Sequence, residues 1–304
     1  MENKNSIADF EHKNSSPFNL VETHVYQKWR DAKLKDYPKN IADLIVEIND
    51  PRILTKHEHQ KLIDICRKTN MVLYSSKLEN DPNPEIPLSL GRRFVGSKLD
   101  NNWLADGTGL TSLTVAQEGV RQHYIPYTNR AIQWHTDGYY NPQHQQIYSL
   151  LLHAVQRAAS GGENALLDHE IAYILLREKN PDYVAALMKD NVLTIPARIE
   201  SGKIVRAEQS GSIFSVSRKG QLHMRYTIRD NNVMWSEDEL TQQALEYLKL
   251  ILSSDSPYIF KGLLQPGMGL LSNNVLHNRT AFTDDASHKR FIYRARYFNR
   301  LLDC

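Results

Sequence analysis

Apolar residues recur at helical spacing in three parts of the chain. Thr55 and Glu58 stand in the spacing of a capping box at the start of the first part, which predicts the beginning of a helix. Ser236 and Glu239 form the same kind of pair ahead of the third part, and an Asn-Pro-Asp sequence restarts the pattern within the second. Helices are therefore predicted over residues 55–70, 168–190 and 236–252.

The remaining apolar runs are short and are broken by Gly, Pro and Asn, as is typical of antiparallel strands. MVLYSS follows the first helix directly, and the runs between residues 113 and 155 include RQHYIPYTN, AIQWHTD and QIYSLLLHAV. Later runs are SIFSVS, HMRYTI, GLLSNNVLH and RFIYRARYF. Strands, a partly helical insertion and returning strands predict an α+β fold, mainly β, built on a closed or sandwiched antiparallel sheet.

The length of the chain, 304 residues, allows one large hydrophobic core or two small ones. We expect a single domain over residues 19–304, preceded by a polar and disordered N-terminus at residues 1–18. Its core strands are expected at about residues 113–165 and 257–298, on either side of an insertion at about residues 168–255.

Charge and cysteine content exclude several classes of protein. A net charge of +2 without a long basic run gives no general field for polyanions, so nucleic acid is not an expected partner. The N-terminus lacks the pattern of a signal peptide, and no apolar stretch approaches the ~20 residues that cross a bilayer. A cytoplasmic protein with no membrane segment is therefore expected. Cys66 and Cys304 are too few for a disulfide framework or a cysteine-rich zinc site.

The stretch IQWHTDGYYNP holds a histidine and an aspartate two residues apart. If QWHTD is a strand, His135 and Asp137 project to the same side and can chelate one metal ion. His277 closes the run GLLSNNVLH about 140 residues later, so only the fold can bring it to the pair. Two imidazoles and one carboxylate on one face of a metal suit non-haem Fe(II), while the alternative is a surface pair and a histidine that caps a strand.

A second group of charged residues follows His277. If RFIYRARYF forms one strand, Arg290, Arg294 and Arg296 share a face. Three arginines on one side are costly to bury unless anions meet them, so an acidic ligand is expected there. The alternative is an exposed edge strand with positive charge. The opposite face is apolar and is expected to pack in the core through Phe291, Tyr293, Ala295 and Tyr297.

These residues together resemble the signature of the Fe(II)- and 2-oxoglutarate-dependent dioxygenases, in particular the taurine dioxygenase group and its carnitine-pathway relatives. SGGENALLDHEIAY and NNVLHNRTAF are also similar to stretches of that group, and the resemblance covers about residues 113–298. It implies a double-stranded β-helix, or jelly roll, with His135, Asp137 and His277 as the iron ligands. It further implies that Arg290 pairs with the far carboxylate of 2-oxoglutarate.

The resemblance implies Fe(II), 2-oxoglutarate and O2, with decarboxylation to succinate and CO2 coupled to hydroxylation of a small organic substrate. Asn164 stands where taurine-type enzymes commonly have threonine, and its amide can still donate a hydrogen bond to the cosubstrate. SNN replaces the usual Asp-Asn before the distal histidine, which leaves the hydrogen-bond partner of His277 open. Asp137 favours hydroxylation over halogenation, because halogenating relatives lack that carboxylate.

Arg294 lies four residues past Arg290, the spacing at which taurine-type enzymes hold the acidic group of their substrate. A small anionic substrate is therefore expected, although the carnitine-pathway relatives bind a quaternary ammonium group instead. The alternative from another class is a cupin-like metal-binding jelly roll without oxygenase activity, an isomerase or a sensor. A homo-oligomer is possible. Further candidate residues for lining the substrate site, with ordinary packing as the alternative for the tyrosines, are Tyr124, Tyr127, Tyr139, Tyr140, His223 and Arg225.

Overall fold

The computed structural model describes residues 16–101, 108–200, 202–229 and 233–302, and helices and strands are mixed in it as the hydrophobic pattern predicts. The chain divides into two compact units. The first comprises Met1–Tyr37, His169–Arg225 and Asp230–Ser254. The second comprises Pro38–Asp168, Tyr226–Arg229 and Asp255–Cys304. The predicted insertion thus corresponds to the later part of the first unit, and the single domain over residues 19–304 stays a prediction.

Most of the polar N-terminus that is predicted to be disordered, residues 1–15 of 1–18, lies outside the described residues. Phe18 is buried, and its ring centroid lies 5.0 Å from that of Trp29 and 5.3 Å from that of Tyr173. Packed structure therefore begins before residue 19.

The three predicted helical regions are confirmed, and two further helices, Thr23–Leu34 and Glu85–Phe94, were not predicted. None of the helices of the described chain is long and apolar enough to cross a membrane. They are α1 (Thr23–Leu34), α2 (Lys56–Thr69), α3 (Glu85–Phe94), α4 (His169–Lys179), α5 (Pro181–Leu187) and α6 (Glu239–Ser253).

The strands are short. Those of the second unit are β1 (Ile45–Glu47), β2 (Met71–Ser75), β3 (Thr111–Leu113), β4 (Ile132–His135), β5 (Ser149–Gln156), β6 (Ser160–Gly161) and β7 (Asn164–Leu167). The first unit contains β8 (Leu193–Ile195), β9 (Arg198–Glu200), β10 (Lys203–Arg206), β11 (Gln209–Gly211), β12 (Phe214–Val216), β13 (Leu222–Met224) and β14 (Met234–Trp235). The second unit resumes with β15 (Phe260–Gly262), β16 (Met268–Ser272), β17 (Leu276–Arg279), β18 (Phe282–Thr283) and β19 (Phe291–Tyr297).

The start of α2 is as predicted, and the start of α6 is not. The Thr55 hydroxyl accepts the Glu58 N–H at 3.2 Å, and the Glu58 carboxylate accepts the Thr55 N–H at 2.7 Å, which completes the capping box. At α6 the predicted capping box is wrong, because Asp238 caps the helix by accepting the Thr241 N–H at 3.0 Å. A carboxylate two residues further along caps better here than the hydroxyl of Ser236.

The second unit is built on two main sheets. One has six strands in the order β1-β2-β16-β5-β19-β3, and the other has four in the order β15-β7-β17-β4. β1 and β2 are parallel, whereas the other neighbouring strands in these two sheets are antiparallel. A short β18-β6 pair adds to them.

The apolar face predicted for β19 is confirmed. It packs in a buried core with residues of α2, α3 and β5. The members from β19 are Tyr293, Ala295 and Tyr297, with Phe291 packed against them.

Two predicted strands are wrong in instructive ways. RQHYIPYTN forms two 3₁₀ helices, Val120–His123 and Ile125–Tyr127, because Pro126 has no N–H to give to a strand pair. GLLSNNVLH is not one strand but parts of β16 and β17, which belong to different sheets. The chain passes between them at Asn274, whose φ of 51° is left-handed and ends the extended run.

Candidate metal and cosubstrate site

The fold of the second unit brings His135 and His277 together. They occupy directly opposite positions of the neighbouring strands β4 and β17, and their ring centroids lie 4.3 Å apart. Asp137 follows the end of β4, where the chain turns at Gly138 with a φ of 69°. A Cβ on Gly138 would lie 2.3 Å from Ile147 Cγ1, so both the turn and the packing require glycine.

The turn returns the Asp137 carboxylate to the two imidazoles. Its Oδ1 lies 3.5 Å from His135 Nε2, and one ligand atom from each of His135, Asp137 and His277 lies within 4.8 Å of the others. Asp137 and His277 are buried, while His135 is partly exposed. The sequence places Asp137 on the strand, but the structure places it in the turn that follows.

Backbone carbonyls fix the orientation of both histidines. His135 Nδ1 lies 2.8 Å from the carbonyl oxygen of Gln133, and His277 Nδ1 lies 2.9 Å from that of Val275. A carbonyl only accepts, so each Nδ1 carries the proton and each Nε2 keeps its lone pair for a metal. The hydrogen-bond partner of His277, left open by the SNN sequence, is therefore the carbonyl two residues before it.

Asn274, the second asparagine of SNN, holds Asp137 instead. Its Oδ1 accepts the Asp137 N–H at 2.8 Å, and its Nδ2 donates to the carbonyl oxygens of Asp137 at 2.9 Å and of Ile147 at 2.7 Å. The amide thus satisfies both backbone groups of the aspartate at once. This contact ties the passage between the two sheets to the turn that carries the carboxylate.

The protonation states suit a divalent cation. Burial alone would raise the pKa of Asp137, but Arg294, whose Nη1 lies 3.4 Å from Asp137 Oδ2, and the contact with His135 hold it well below its ordinary value. Burial, reinforced by His135, lowers the pKa of His277 to about 4. Asp137 Oδ2 is buried and accepts no hydrogen bond within the described residues. A charged carboxylate with an unsatisfied oxygen beside a neutral imidazole fits a metal.

Arg290 lies just before β19 rather than on it. It is 7% exposed, and burial together with the charge of Arg279 lowers its pKa to about 9. Its Cζ lies 5.2 Å from the centroid of the Phe282 ring. Gly162 lies beside it, and a Cβ there would be in ordinary van der Waals contact, 3.7 Å from Arg290 Nε. Arg290 is thus a buried cation held against an aromatic ring.

Asn164 begins β7 and lies opposite Arg279 of β17. Its Nδ2 donates to the Asn278 carbonyl oxygen at 3.0 Å, which leaves one amide N–H and the carbonyl oxygen for a ligand. Asn164 also lines a mainly apolar cavity of about 220 Å³. Leucines from both main sheets, including Leu152 and Leu166, line it too.

Arg279 is missing from the set of candidates drawn from the sequence. It is 3% exposed, and burial lowers its pKa to about 10. The signal in the sequence is its place two residues after His277, which puts the two side chains on the same side of β17. The quoted stretch NNVLHNRTAF contains it, but an arginine there also fits ordinary packing.

Arg294 and Arg296 lie on β19 two residues apart, and their environments differ. Arg294 contacts Asp137, as described above. Arg296 donates from Nη1 to the Tyr140 hydroxyl at 2.8 Å and forms an ion pair with Asp100, so its charge is already balanced. Asp100 belongs to no motif and lies 196 residues before Arg296 along the chain, so no pattern in the sequence points to it.

The tyrosine candidates occupy the same unit. Tyr139 packs edge-on against Tyr140, with ring centroids 5.3 Å apart. Tyr127 is buried, which raises its pKa, and the charges of Arg294 and Arg296 act on it in the opposite sense. Tyr124 lies between the two 3₁₀ helices. A role for these four tyrosines at the substrate stays a prediction.

His223 and Arg225 belong to the first unit. His223 is buried on β13, and Arg225 donates to the carbonyl oxygens of Leu193 at 2.8 Å and Gln209 at 2.9 Å. Burial lowers the pKa of Arg225 to about 10. These contacts give Arg225 a place in the packing of its own unit, and a role for either residue at the substrate stays a prediction.

Comparison with known proteins gives consistent results. Two curated relatives are named uridine-5'-phosphate dioxygenase. One, from Amycolatopsis sp., is 29% identical over 171 residues, or 54% of this chain and 60% of its own length. The other, from Streptomyces sp., is 28% identical over 198 residues, or 62% of this chain and 69% of its own length. The match thus spans less than two thirds of the first relative and slightly more than two thirds of the second.

Among solved structures, the non-heme iron oxygenase OrfP in complex with Fe and alpha-ketoglutaric acid has a similar fold. The TM-score is 0.53 at 15% sequence identity, over 79% of this chain and 81% of that one. The family model described as "Taurine catabolism dioxygenase TauD, TfdA family" matches residues 84–296, which include His135, Asp137, His277 and Arg290. With 70% of its residues matched by this model, the chain belongs to the TauD, TfdA family.

Proposed function

We propose that the protein is an Fe(II)- and 2-oxoglutarate-dependent dioxygenase that hydroxylates a small anionic substrate. The observation that carries the proposal is the convergence of His135, Asp137 and His277, with both Nε2 lone pairs and a charged carboxylate available to one metal ion. Family membership supports it, as do the iron and alpha-ketoglutaric acid bound by OrfP.

We further propose that the second unit is a double-stranded β-helix. The six-stranded and four-stranded sheets each interleave strands from the beginning and the end of the chain, as a jelly roll does. β4 and β17 then lie at one mouth of the roll with the metal ligands, and β19 of the other sheet presents Arg294 to them.

In this proposal His135, Asp137 and His277 hold Fe(II). When bound, the iron supplies the activation of O2 that is coupled to decarboxylation of 2-oxoglutarate to succinate and CO2. Arg290 binds the far carboxylate of 2-oxoglutarate through its two parallel N–H groups, and Asn164 donates its remaining amide N–H nearby. The apolar cavity beside Asn164 excludes water from that end of the cosubstrate.

Arg294 is the proposed contact for the anionic group of the substrate. It now pairs with Asp137, and a metal ion on Asp137 would neutralise that carboxylate and leave the guanidinium for another anion. The two relatives are named for uridine-5'-phosphate, so nucleoside 5'-phosphates are the first substrates to test. The cupin-like binder without oxygenase activity is not favoured, because it has no use for the buried Arg290. Cytoplasmic location and a homo-oligomer stay predictions.

The test is an anaerobic titration of the Fe(II)-loaded protein with 2-oxoglutarate, followed by a succinate-release screen in air. We expect the visible charge-transfer band of the keto-acid chelate and slow succinate formation without substrate. Nucleotides, sulfonates, amino acids and betaines are then compared on wild type and Arg294→Ala. Absence of both band and succinate would favour the cupin-like binder. A best substrate without an anionic group, or full activity of Arg294→Ala, would refute the role of Arg294.

A further inference from the structure

Two buried arginines of the second unit form no ion pair with a carboxylate among the described residues. Arg279 is 3% exposed and Arg290 is 7% exposed. Both lie against the ring of Phe282, with Cζ 4.8 Å and 5.2 Å from its centroid. In the part of the chain that the structure describes, neither guanidinium has a carboxylate oxygen within 4.0 Å. Two buried positive charges at one ring favour the binding of an anion.

Arg279 is only partly used by the fold. Its Nη2 donates to the carbonyl oxygens of Thr128 at 2.9 Å and of Arg130 at 2.5 Å. Its Nε and Nη1 are buried and have no hydrogen-bond partner among the described residues. The nearby carboxylate of Asp284 accepts the backbone N–H of Arg290 at 3.0 Å and forms no ion pair with Arg279 among the described residues. Buried N–H groups of a charged side chain are costly to leave unmet, so two donors of Arg279 need an acceptor.

The register of the four-stranded sheet relates Arg279 to the rest of the site. Arg279 lies two residues from His277 on β17, so both project from the same face. It lies opposite Asn164 on β7, and directly opposite residues of an antiparallel pair share a face as well. Arg279 therefore stands one strand from Asn164 and shares Phe282 with Arg290.

We infer that Arg279 is a second arginine of the cosubstrate site, whose Nε and Nη1 donate, together with Arg290, to the far carboxylate of 2-oxoglutarate. The inference rests on the proposed function for the identity of the anion. A carboxylate has about four acceptor positions, which is enough for two guanidiniums. The sequence motif assigns only Arg290 to the far carboxylate, which is half of the positive charge beside Phe282.

The closing experiment compares two keto acids that differ in the far carboxylate. Fe(II)-loaded wild type, Arg279→Gln and Arg279→Lys are titrated anaerobically with 2-oxoglutarate and with pyruvate, which lacks that group. We expect Arg279→Gln to weaken 2-oxoglutarate binding about ten- to hundredfold, as for a hydrogen bond to a charged group, and pyruvate binding by less than about twofold. Arg279→Lys should fall between, because it keeps the charge but not the fork.

A merely structural arginine would give a different result. Arg177 of the first unit is also buried and donates to carbonyl oxygens, of Pro17 at 2.9 Å and Asn19 at 3.3 Å. The matched variant Arg177→Gln should lower stability without changing the ratio of the two affinities. The inference would be overturned if Arg279→Gln lost affinity for 2-oxoglutarate and for pyruvate by the same factor, or lost affinity for neither. If Arg279→Gln does not fold, the same ratio in Arg279→Lys decides.

A metal-free measurement separates this inference from the proposed function. The melting temperature of wild type and variants is measured with and without glutarate, at constant ionic strength. Suppose that wild type gives no chelate band in the iron titration, but that glutarate raises the melting temperature of wild type and not of the Arg279 variants. The oxygenase proposal then fails and the two-arginine anion site stands. If glutarate stabilises all of them equally, or none, the role of Arg279 is refuted whatever the iron titration gives.

Discussion

Replacement of Asn274 by Gly tests how the structure holds the Asp137 carboxylate in place. The asparagine side chain makes three hydrogen bonds of 2.7–2.9 Å to the backbone of Asp137 and Ile147. Glycine removes all three but keeps the left-handed backbone at no steric cost. Alanine removes the same bonds and adds about 1 kcal/mol of backbone strain. The pair of variants therefore separates the hydrogen bonds from the conformation.

The size of the effect follows from what is left unpaired. Asp137 and Ile147 are buried, so one N–H and two carbonyl groups lose their partner. At about 1 kcal/mol or more for each such group, Asn274→Gly should destabilise the metal-free protein by about 3 kcal/mol, and Asn274→Ala by about 4 kcal/mol. Because the turn that carries the carboxylate is loosened, metal affinity should fall about 10–100-fold, as for other groups that orient a ligand.

Urea denaturation of the metal-free variants gives the stability change, and titration with Mn(II) followed by electron paramagnetic resonance gives the affinity. Asn274→Asp serves as the control, since it keeps the acceptor for the Asp137 N–H and loses both donors. Its second carboxylate oxygen would face the carbonyl oxygens of Asp137 and Ile147 inside a buried site, so it should be less stable than Asn274→Gly. If Asn274→Gly loses less than about 1 kcal/mol and binds Mn(II) within about twofold of wild type, the amide does not hold Asp137 as described.

Three further predictions concern the ligands, the cosubstrate and pH. His135→Ala or Asp137→Ala should remove most activity and metal binding, whereas His144→Ala, an exposed histidine nearby, should matter little; equal losses at all three would contradict the metal site. Arg290→Lys should lower 2-oxoglutarate affinity at least about tenfold in the chelate titration, and an unchanged affinity would move the carboxylate to another arginine. Burial lowers the pKa of His153 to about 4, below the unfolded value, so its stabilising effect is complete above about pH 6.5 and is lost as the pH falls towards 4. Between pH 6.5 and pH 4 the free energy of unfolding of wild type, measured by urea titration, should thus fall by up to about 3 kcal/mol more than that of His153→Gln. If the two proteins lose stability in parallel as the pH falls, this role of His153 is refuted.

Local patterns gave correct elements where the interaction that forms the element is also local. The capping box of Thr55 and Glu58 joins residues three apart, and it forms as predicted. The alternation along β19 likewise fixed which side chains enter the core. At α6 two local caps competed, and spacing alone could not rank the carboxylate of Asp238 above the hydroxyl of Ser236.

Long-range pairings could not be derived from the sequence in the same way. GLLSNNVLH contains nothing that assigns its two halves to different sheets, because strand pairing depends on partners more than a hundred residues away. The role of Asp100 as the counter-ion of Arg296 is hidden for the same reason. The proposed metal ligands were accessible from the sequence because their residue types and order resemble a family, whereas the burial of Arg279 depends on the packing around it.

The passage from β16 to β17 makes the site sensitive to changes of chain length. Asn274 hydrogen-bonds the backbone of Asp137, and His277 lies three residues after Asn274. One short segment therefore positions two of the three proposed metal ligands. Insertion of one residue between Asn274 and His277 would turn His277 to the other face of β17 if the strand kept its pairing. Substitutions on the surface of either sheet leave this relation intact. Within the family, insertions and deletions should therefore be found in the connecting loops and be rare between Asn274 and His277.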